Sequence, residues 1–453
     1  MIKENWDKNP ALILYNEISI FSKIKEKEIF LIKNFLKKTF DEISKNFKEK
    51  GSKVFIYDKN SPSKEKEIEF GIILNPCVLE INEDILKNPK EKINEVYPPL
   101  AISIGKEILK ISPCPHPNFI NLIFIKDEND LIINLNYEEK VNIFRMLMAK
   151  LGSFKNIIVP YKFKNEKLIS SGFIISTMEG GCPLLKDLKE VSRRLRVFGS
   201  SKEVGGFIKN ENRIISYKDW VNSKIVNSMI ELGKFLGEKN LLSPPIKISS
   251  FVKDKKLSNL ISKILSYSRL SEGAFMAYDS NLKLFIVTAS GKYDVDKSNL
   301  TYKDLVPVFP KGDKVEVFNI ENIEVKGPSV EAEEFTIPLM EFYKDFPEII
   351  SIVHIHRTPY YYDKNEIFEI PQDINKYPPC GCGVDLMLNM SRYAINYAIK
   401  NRKNFKIAFF KVPNHGTNIY SFYDEKIKEN PFYYFIELVS KGKLKFKFEV
   451  EQV

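Results

Sequence analysis

Along the chain, the placing of apolar and polar residues changes character several times, and each change predicts an element. Between residues 14 and 48, Ile18, Phe21, Ile24, Ile29, Ile32, Phe35 and Phe40 recur at helical spacing among lysines, which predicts one or two amphipathic helices. Short apolar runs of strand length follow at residues 54–57, 68–74, 120–125 and 157–161, with a helical pattern at 138–151 between the last two. Strands alternating with helices indicate a mixed α/β domain. A hairpin-like stretch, 204–208 returning through 214–216, suggests a boundary near residue 217, so that the chain divides into residues 1–216 and 217–453. Past the boundary, residues 220–237 read as a helix. Strand-like runs occupy 347–353 and 405–412, and residues 384–402 carry a further helical pattern.

Composition narrows the setting. With 43% hydrophobic and 12% aromatic residues, the chain has ample material for packed cores. No apolar run approaches the roughly eighteen residues a membrane helix needs, and the lysine-rich, acid-containing start lacks a signal-peptide pattern. Five cysteines at 77, 114, 182, 380 and 382 argue against a disulfide framework, so a reducing cytoplasm is expected. The net charge of +10 is diluted by 59 acidic residues, so it does not mark a nucleic-acid surface. The expected partner is a small molecule, with no membrane and no nucleic acid.

Histidine is the scarce residue, with four in 453 positions. His354 and His356 close the strand-like run at 347–353, and side chains two apart on a strand point to the same side. His415, in Asn414-His415-Gly416, follows the run at 405–412 and supplies a third corner. Three protein nitrogens with an open fourth position make a catalytic rather than a structural zinc site.

Further patterns surround these histidines in order: Gly273-Ala274-Phe275-Met276, Thr288-Ala289-Ser290-Gly291, Asp304-Leu305-Val306, Pro328-Ser329-Val330-Glu331 and Tyr343 through Pro347. On these residues, the stretch from about Gly273 to Gly416 resembles the class II aldolase/adducin family, the fold of fuculose-phosphate aldolase and ribulose-phosphate 4-epimerase. The resemblance implies an α/β architecture: a C-terminal class II aldolase-like α/β/α domain preceded by a mixed α/β domain. It also implies Zn2+ or another divalent metal on His354, His356 and His415, acting as a Lewis acid that stabilises an enediolate. Glu331 would shuttle a proton or ligate the metal, with Glu334, one turn on, as the competing carboxylate. Tyr377 would supply a second proton. Thr288, Ser290, Gly291 and Ser329 would cradle an anionic group of the substrate. Family members close their sites between subunits, so a homo-oligomer, a tetramer in the family's fourfold form, is implied.

Departures bear on the substrate. The family's asparagine, which holds a phosphate, is Ala274 here, and one of its paired serines is Val330. Residues 238–270 form an insertion bordering the same pocket, so the substrate is not expected to sit as in the sugar-phosphate aldolases. Two functional readings follow. One is a metal-dependent aldolase-type lyase, or an epimerase or dehydratase, acting on a small hydroxy-carbonyl compound, phosphorylated or not. The other is a non-catalytic, adducin-like scaffold or binding protein on the same fold.

Four more clusters each have two readings. Cys380 and Cys382 lie between the proposed Tyr377 and the helix from 384, as extra metal ligands or as small loop residues. Cys114-Pro115-His116-Pro117 is a site or a rigid loop. Gly180-Gly181 opens a helical stretch, as an anion cradle or a turn. Arg193, Arg194 and Arg196 either meet a phosphate or RNA, or form a solvated helix face.

Overall fold

A computed structural model describes residues 6–20, 24–57, 68–80, 116–135, 155–177, 184–202, 206–242, 246–247, 269–270, 273–290, 295–343, 349–373, 383–412, 415–425 and 430–447. Within them the chain is a mixed α/β protein organised on two nine-stranded sheets. Outside them fall the helical pattern at 138–151, most of the insertion at 238–270, and Cys114, Gly180, Gly181, Gly291, Tyr377, Cys380 and Cys382.

The first sheet is built from the N-terminal half. In order come β1 (Ala11–Tyr15), β2 (Ser19–Ile20), α1 (Glu26–Glu49), β3 (Val54–Tyr57), β4 (Phe70–Glu80), β5 (His116–Lys126), α2 (Leu131–Asn134), β6 (Lys155–Lys164), β7 (Lys167–Ser170), β8 (Phe173–Thr177), β9 (Leu184–Leu185) and α3 (Leu188–Gly199). Strands β3, β1, β4, β5 and β6 lie side by side and parallel, while β8 and β9 continue the path antiparallel. Parallel strands are covered on both faces, and their sequences therefore run apolar without alternation.

This rule explains why the helix expected from residue 14 starts only at Glu26. Ala11, Leu12, Ile13 and Leu14 are all buried, a continuous run that belongs inside a parallel sheet. Helices α1 and α3 pack on the sheet through Ile32, Leu36, Phe40, Ile43 and Phe47 with Val191, Leu195 and Phe198. On neighbouring strands, Asn75, Asn121 and Asn156 stand in register and link their amides at 3.1 and 3.0 Å, which meets hydrogen-bonding needs the buried interior would otherwise leave open.

The second sheet and the elements around it run β10 (Phe207–Ile215), α4 (Tyr217–Asn222), α5 (Lys224–Glu238), β11 (Ile246–Lys247), β12 (Arg269–Leu270), β13 (Ala274–Asp279), β14 (Leu284–Thr288), β15 (Leu305–Lys311), β16 (Lys314–Ile320), α6 (Glu331–Phe342), β17 (Ile349–Ile355), β18 (Thr358–Tyr362), β19 (Ile367–Ile370), α7 (Val384–Asn401), β20 (Ile407–Val412), β21 (Gly416–Phe422), α8 (Tyr433–Ser440) and β22 (Leu444–Lys447). Its order is β10-β16-β15-β14-β13-β17-β21-β20-β19, antiparallel except where β10 and β19 join the two edges in parallel. Strands β11 with β12, and β18 with β22, form two small separate pairs.

Two local expectations change. Within the hairpin expected at 204–216, the described residues form a single strand, β10, whose pairing with β16 shifts between Asn210 and Ile214; an irregularity of that kind carries polar residues within one strand. The helix expected at 220–237 is two helices meeting at Ser223, whose hydroxyl accepts from Val226 N at 3.2 Å and so caps the second.

Two of the three clustered arginines are buried in ion pairs rather than on a solvated face, while Arg193 stays partly exposed, 3.6 Å from Glu190. Arg196 Nε meets Asp7 Oδ2 at 2.8 Å with both side chains almost wholly buried, and Arg194 Nε meets Glu190 Oε1 at 2.9 Å. Contacts also join the sheets. Lys202 donates its N–H to Asp385 Oδ1 at 3.0 Å, and its carbonyl accepts Val384 N at 2.8 Å at the start of α7. Among the described residues, no helix is long and apolar enough to cross a membrane.

Candidate metal and catalytic site

The site lies where β17 ends, in the middle of the second sheet. All seven residues of β17 are buried, held between β13 and β21. His354 stands opposite Ala274 on one neighbour and Asn418 on the other. Asn418 Oδ1 lies 2.7 Å from His354 Nδ1, a hydrogen bond that places the ring proton on Nδ1 and leaves Nε2 as the lone-pair nitrogen. That Nε2 is buried without a hydrogen-bond partner, as is Nδ1 of His415.

His356 lies just beyond the strand end and His415 just before β21. The three rings gather at centroid distances of 5.0, 4.7 and 5.3 Å. One nitrogen from each lies within 4.8 Å of the others. Nitrogens about 2.0–2.1 Å from a shared zinc would sit closer together than this, so small side-chain rotations complete the set. Gly416 makes the approach possible. Its φ is +134°, and a Cβ there would come within 2.3 Å of the Ile355 carbonyl and 2.8 Å of His356 Cα.

The electrostatics suit metal binding. Burial lowers the His354 pKa to about 3, with His415 and Lys297 adding to the effect and Glu331 and Asn418 opposing it. Burial likewise lowers His415 to about 4, against Glu331 and with Lys155. Both imidazoles are therefore neutral at ordinary pH, the form that binds a metal. Two buried, orphaned nitrogens on neutral imidazoles, with a third imidazole beside them, fit a divalent cation.

Glu331 opens α6 beside them. Burial works to raise its pKa, but Lys297, His354 and the Ser329 hydroxyl, which donates to Oε2, together hold it below the usual carboxylate range. Glu334 is buried one turn on, and its charge acts on the Tyr420 phenol, whose pKa is raised chiefly by burial. The two carboxylates thus address different neighbours. Thr288, Ser290 and Ser329 lie on two facing segments: Ser329 N donates to Thr288 O at 2.9 Å and Ser290 N to Gly327 O at 3.0 Å. The Thr288 hydroxyl accepts Phe275 N at 3.3 Å.

Four residues near this site carried no signal in the sequence reading. Asn418 and Tyr420 sit two apart on β21, on the same face as His354, where strand periodicity places them once the pairing of β17 and β21 is known. Lys297 and Lys155 are buried lysines in a chain with 69 Lys and Arg residues, so nothing in composition distinguishes them. Burial lowers the Lys297 pKa to about 8, against the pull of Glu331.

No protein-family model matches the chain, and no curated protein matches it. Among solved structures, L-fuculose 1-phosphate aldolase is 14% identical over 49% of this chain and 87% of its own, at a TM-score of 0.26. YgbL, described as "a putative aldolase/epimerase/decarboxylase from Escherichia coli", is 12% identical over 48% of this chain and 86% of its own, also at a TM-score of 0.26.

Proposed function

We propose that this chain is a metal-dependent enzyme of the aldolase and epimerase type, acting on a small hydroxy-carbonyl compound. The observation that carries the reading is the buried group His354, His356 and His415, with unpartnered nitrogens on His354 and His415 and the ionised Glu331 beside them. A divalent cation held there, zinc foremost, supplies Lewis-acid polarisation of a carbonyl oxygen. Asn418 fixes the His354 tautomer. Glu331, kept ionised, accepts a proton from the hydroxyl or carbon next to that carbonyl and returns it in the reverse direction. Ser329 holds the carboxylate in place until substrate arrives. Thr288, Ser290 and Ser329 would receive the substrate's polar end, with Gly291 and Tyr377, both outside the described residues, as the sequence's candidates for the same cradle and for the second proton transfer. Carbon–carbon cleavage is the preferred reaction, with epimerisation and dehydration drawing on the same parts.

Metal analysis tests the reading. Purified protein should hold one divalent ion per chain, and His356→Ala should lose it. No uptake by the parent protein under metal loading, or full occupancy in the variant, sinks the proposal. A homo-oligomer, fourfold in form, belongs to the same proposal, because a cyclic arrangement satisfies every interface. Sedimentation at micromolar concentration should show it, and a strictly monomeric species counts against it.

A further inference from the structure

A cavity lies within the first sheet's half of the chain, among α1, the turn from β7 to β8 and the start of α3. Its volume is about 480 Å³, inside the range of small-molecule sites, about 300–1,000 Å³. One wall is aromatic. Phe35 of α1 and Phe173 of β8 stack at 6.4 Å between centroids and 26° between planes, and the fully buried Phe124 backs Phe35 edge-on at 6.0 Å. Leu188, the first residue of α3, extends the apolar surface. The turn cannot withdraw from it: Gly172 has φ +139°, and a Cβ on it would lie 2.6 Å from the Leu185 carbonyl.

The polar groups of the lining divide into two sets. Thr39 and Ser170 are committed within the protein: the Thr39 hydroxyl donates to the Phe35 carbonyl at 3.0 Å, and the Ser170 hydroxyl donates to the Gly172 carbonyl at 3.0 Å and accepts its N–H at 3.1 Å. The side chains of Lys38, Lys186 and Ser171 have no hydrogen-bond or ion-pair partner among the described residues. No described residue of the lining is acidic. Asp187, beside Lys186, is turned to its own helix, where it accepts Lys189 N at 2.9 Å as the cap of α3. Asp41 and Glu42, one turn along α1 from Lys38, make no ion pair with it.

An aromatic wall, two uncommitted ammoniums and an uncommitted hydroxyl in one cavity match a ring that bears an anionic group. Rings pair with rings in offset or edge-on contact, and an anion gains from each cation that it meets. An inorganic anion alone would leave the aromatic wall in water, and a wholly apolar occupant would gain nothing from the ammoniums.

We propose that this cavity binds a small aromatic carboxylate, its ring against Phe35 and Phe173 and its carboxylate met by the ammoniums of Lys38 and Lys186, with the Ser171 hydroxyl donating to it. The first sheet thereby has a ligand of its own, held by residues that take no part in the histidine cluster. The inference does not depend on how that cluster is read.

The test is calorimetric titration of phenylpropionate into the full chain, treated with a chelator so that the carboxylate finds no metal to ligate. The parent protein should bind it saturably, and phenylpropionamide, of the same shape without the charge, should bind about tenfold more weakly or worse, the range for hydrogen bonds to a charged group. Octanoate should bind more weakly than phenylpropionate. Lys38→Met and Lys186→Met should each weaken binding about two- to fivefold, as exposed charge pairs do; both side chains are exposed, so the fold is not at risk. Ser171→Trp, which fills the cavity, should abolish binding, and His356→Ala should change nothing. Absence of binding by the parent, equal affinity for the amide, parent-like affinity when both lysines are replaced, or loss of binding in His356→Ala overturns the site. Tighter binding of octanoate overturns the aromatic occupant. Metal uptake by a protein that binds no phenylpropionate would sink this site and leave the proposed chemistry standing, and lysine-dependent binding in a protein that takes up no metal would do the reverse.

Discussion

Helix α6 carries two glutamates two residues apart that face different regions of the protein, and their proton affinities are driven in opposite directions. Glu331 looks to the histidines and Lys297, which hold it below the ordinary carboxylate range in spite of its burial. Glu333 looks to β10 and the turn before β16. Burial raises its pKa to about 7, with Asp313 adding to the shift and the Gly206 N–H, which donates at 2.7 Å, and Lys314 opposing it. Both are side chains of the same type on one helix. The difference shows that burial alone decides little: Glu331 is buried among cations and donors, and Glu333 is buried with one backbone donor and an acidic neighbour. A carboxylate held ionised among cations is free to accept a proton or a cation; one that titrates near neutrality makes stability depend on pH.

The sharpest way to break this comparison is to neutralise each acid in turn. Glu331→Gln should lower turnover about a hundredfold or more while leaving metal content near the parent's, since the amide matches the carboxylate in shape. Glu333→Gln should leave turnover within a few-fold. Glu334→Gln should be mild, because its charge acts on Tyr420; an essential Glu334 with a dispensable Glu331 would move the proton-transfer role one helical turn along α6.

Acid stability is next in size. His354 and His415 have pKa values near 3 and 4 in the fold, against about 6.5 in the unfolded chain. Below 6.5 the unfolded state binds more protons, so stability is fully present above that pH and falls as the solution is acidified toward 4 and 3. Metal-free protein should therefore melt at progressively lower temperature over that range, and His415→Asn should flatten the trend. A melting curve unchanged from pH 7 to pH 4 would contradict the neutral, buried imidazoles.

Glu333 should give the smallest effect, with the opposite sign. Its folded pKa near 7 exceeds the value near 4.5 expected when unfolded, so its contribution is fully present below 4.5 and is lost as pH rises through 7. At pH 8, Glu333→Gln should raise Tm by about 2–4 °C or more, because the amide keeps an acceptor for Gly206 without a buried charge. An unchanged or lower Tm at that pH would mean that Gly206 requires the carboxylate itself.

Much of the site was legible because it is local. Strand periodicity predicts His354 and His356 on one side; in the fold His354 lies within β17, His356 lies just past its end, and their rings approach to 5.0 Å. Gly416 was legible only as part of the His-Gly pattern; its close backbone approach to Ile355 and His356 is shown by the fold. The strands at 54–57, 120–125 and 157–161 were readable from their apolar runs, and the helix beginning at Val384 from its periodicity. Local pattern misled where a partner element decided the outcome. Ala11 to Leu14 is a strand because β3 and β4 flank it. Arg196 is buried in an ion pair because Asp7, from before β1, meets it there.

Periodicity, scarcity and short motifs in the sequence determined which residues bear the candidate chemistry: three of four histidines, and a glutamate at the start of a helix. Only the tertiary structure decided their protonation and their company. Desolvation and Coulomb interaction depend on which distant segments close over a group, and those segments here come from both sheets: Lys297 under α5, Lys155 from β6, Asn418 across β21. A lysine written among many in the chain becomes a distinct chemical group only when folding takes its water away.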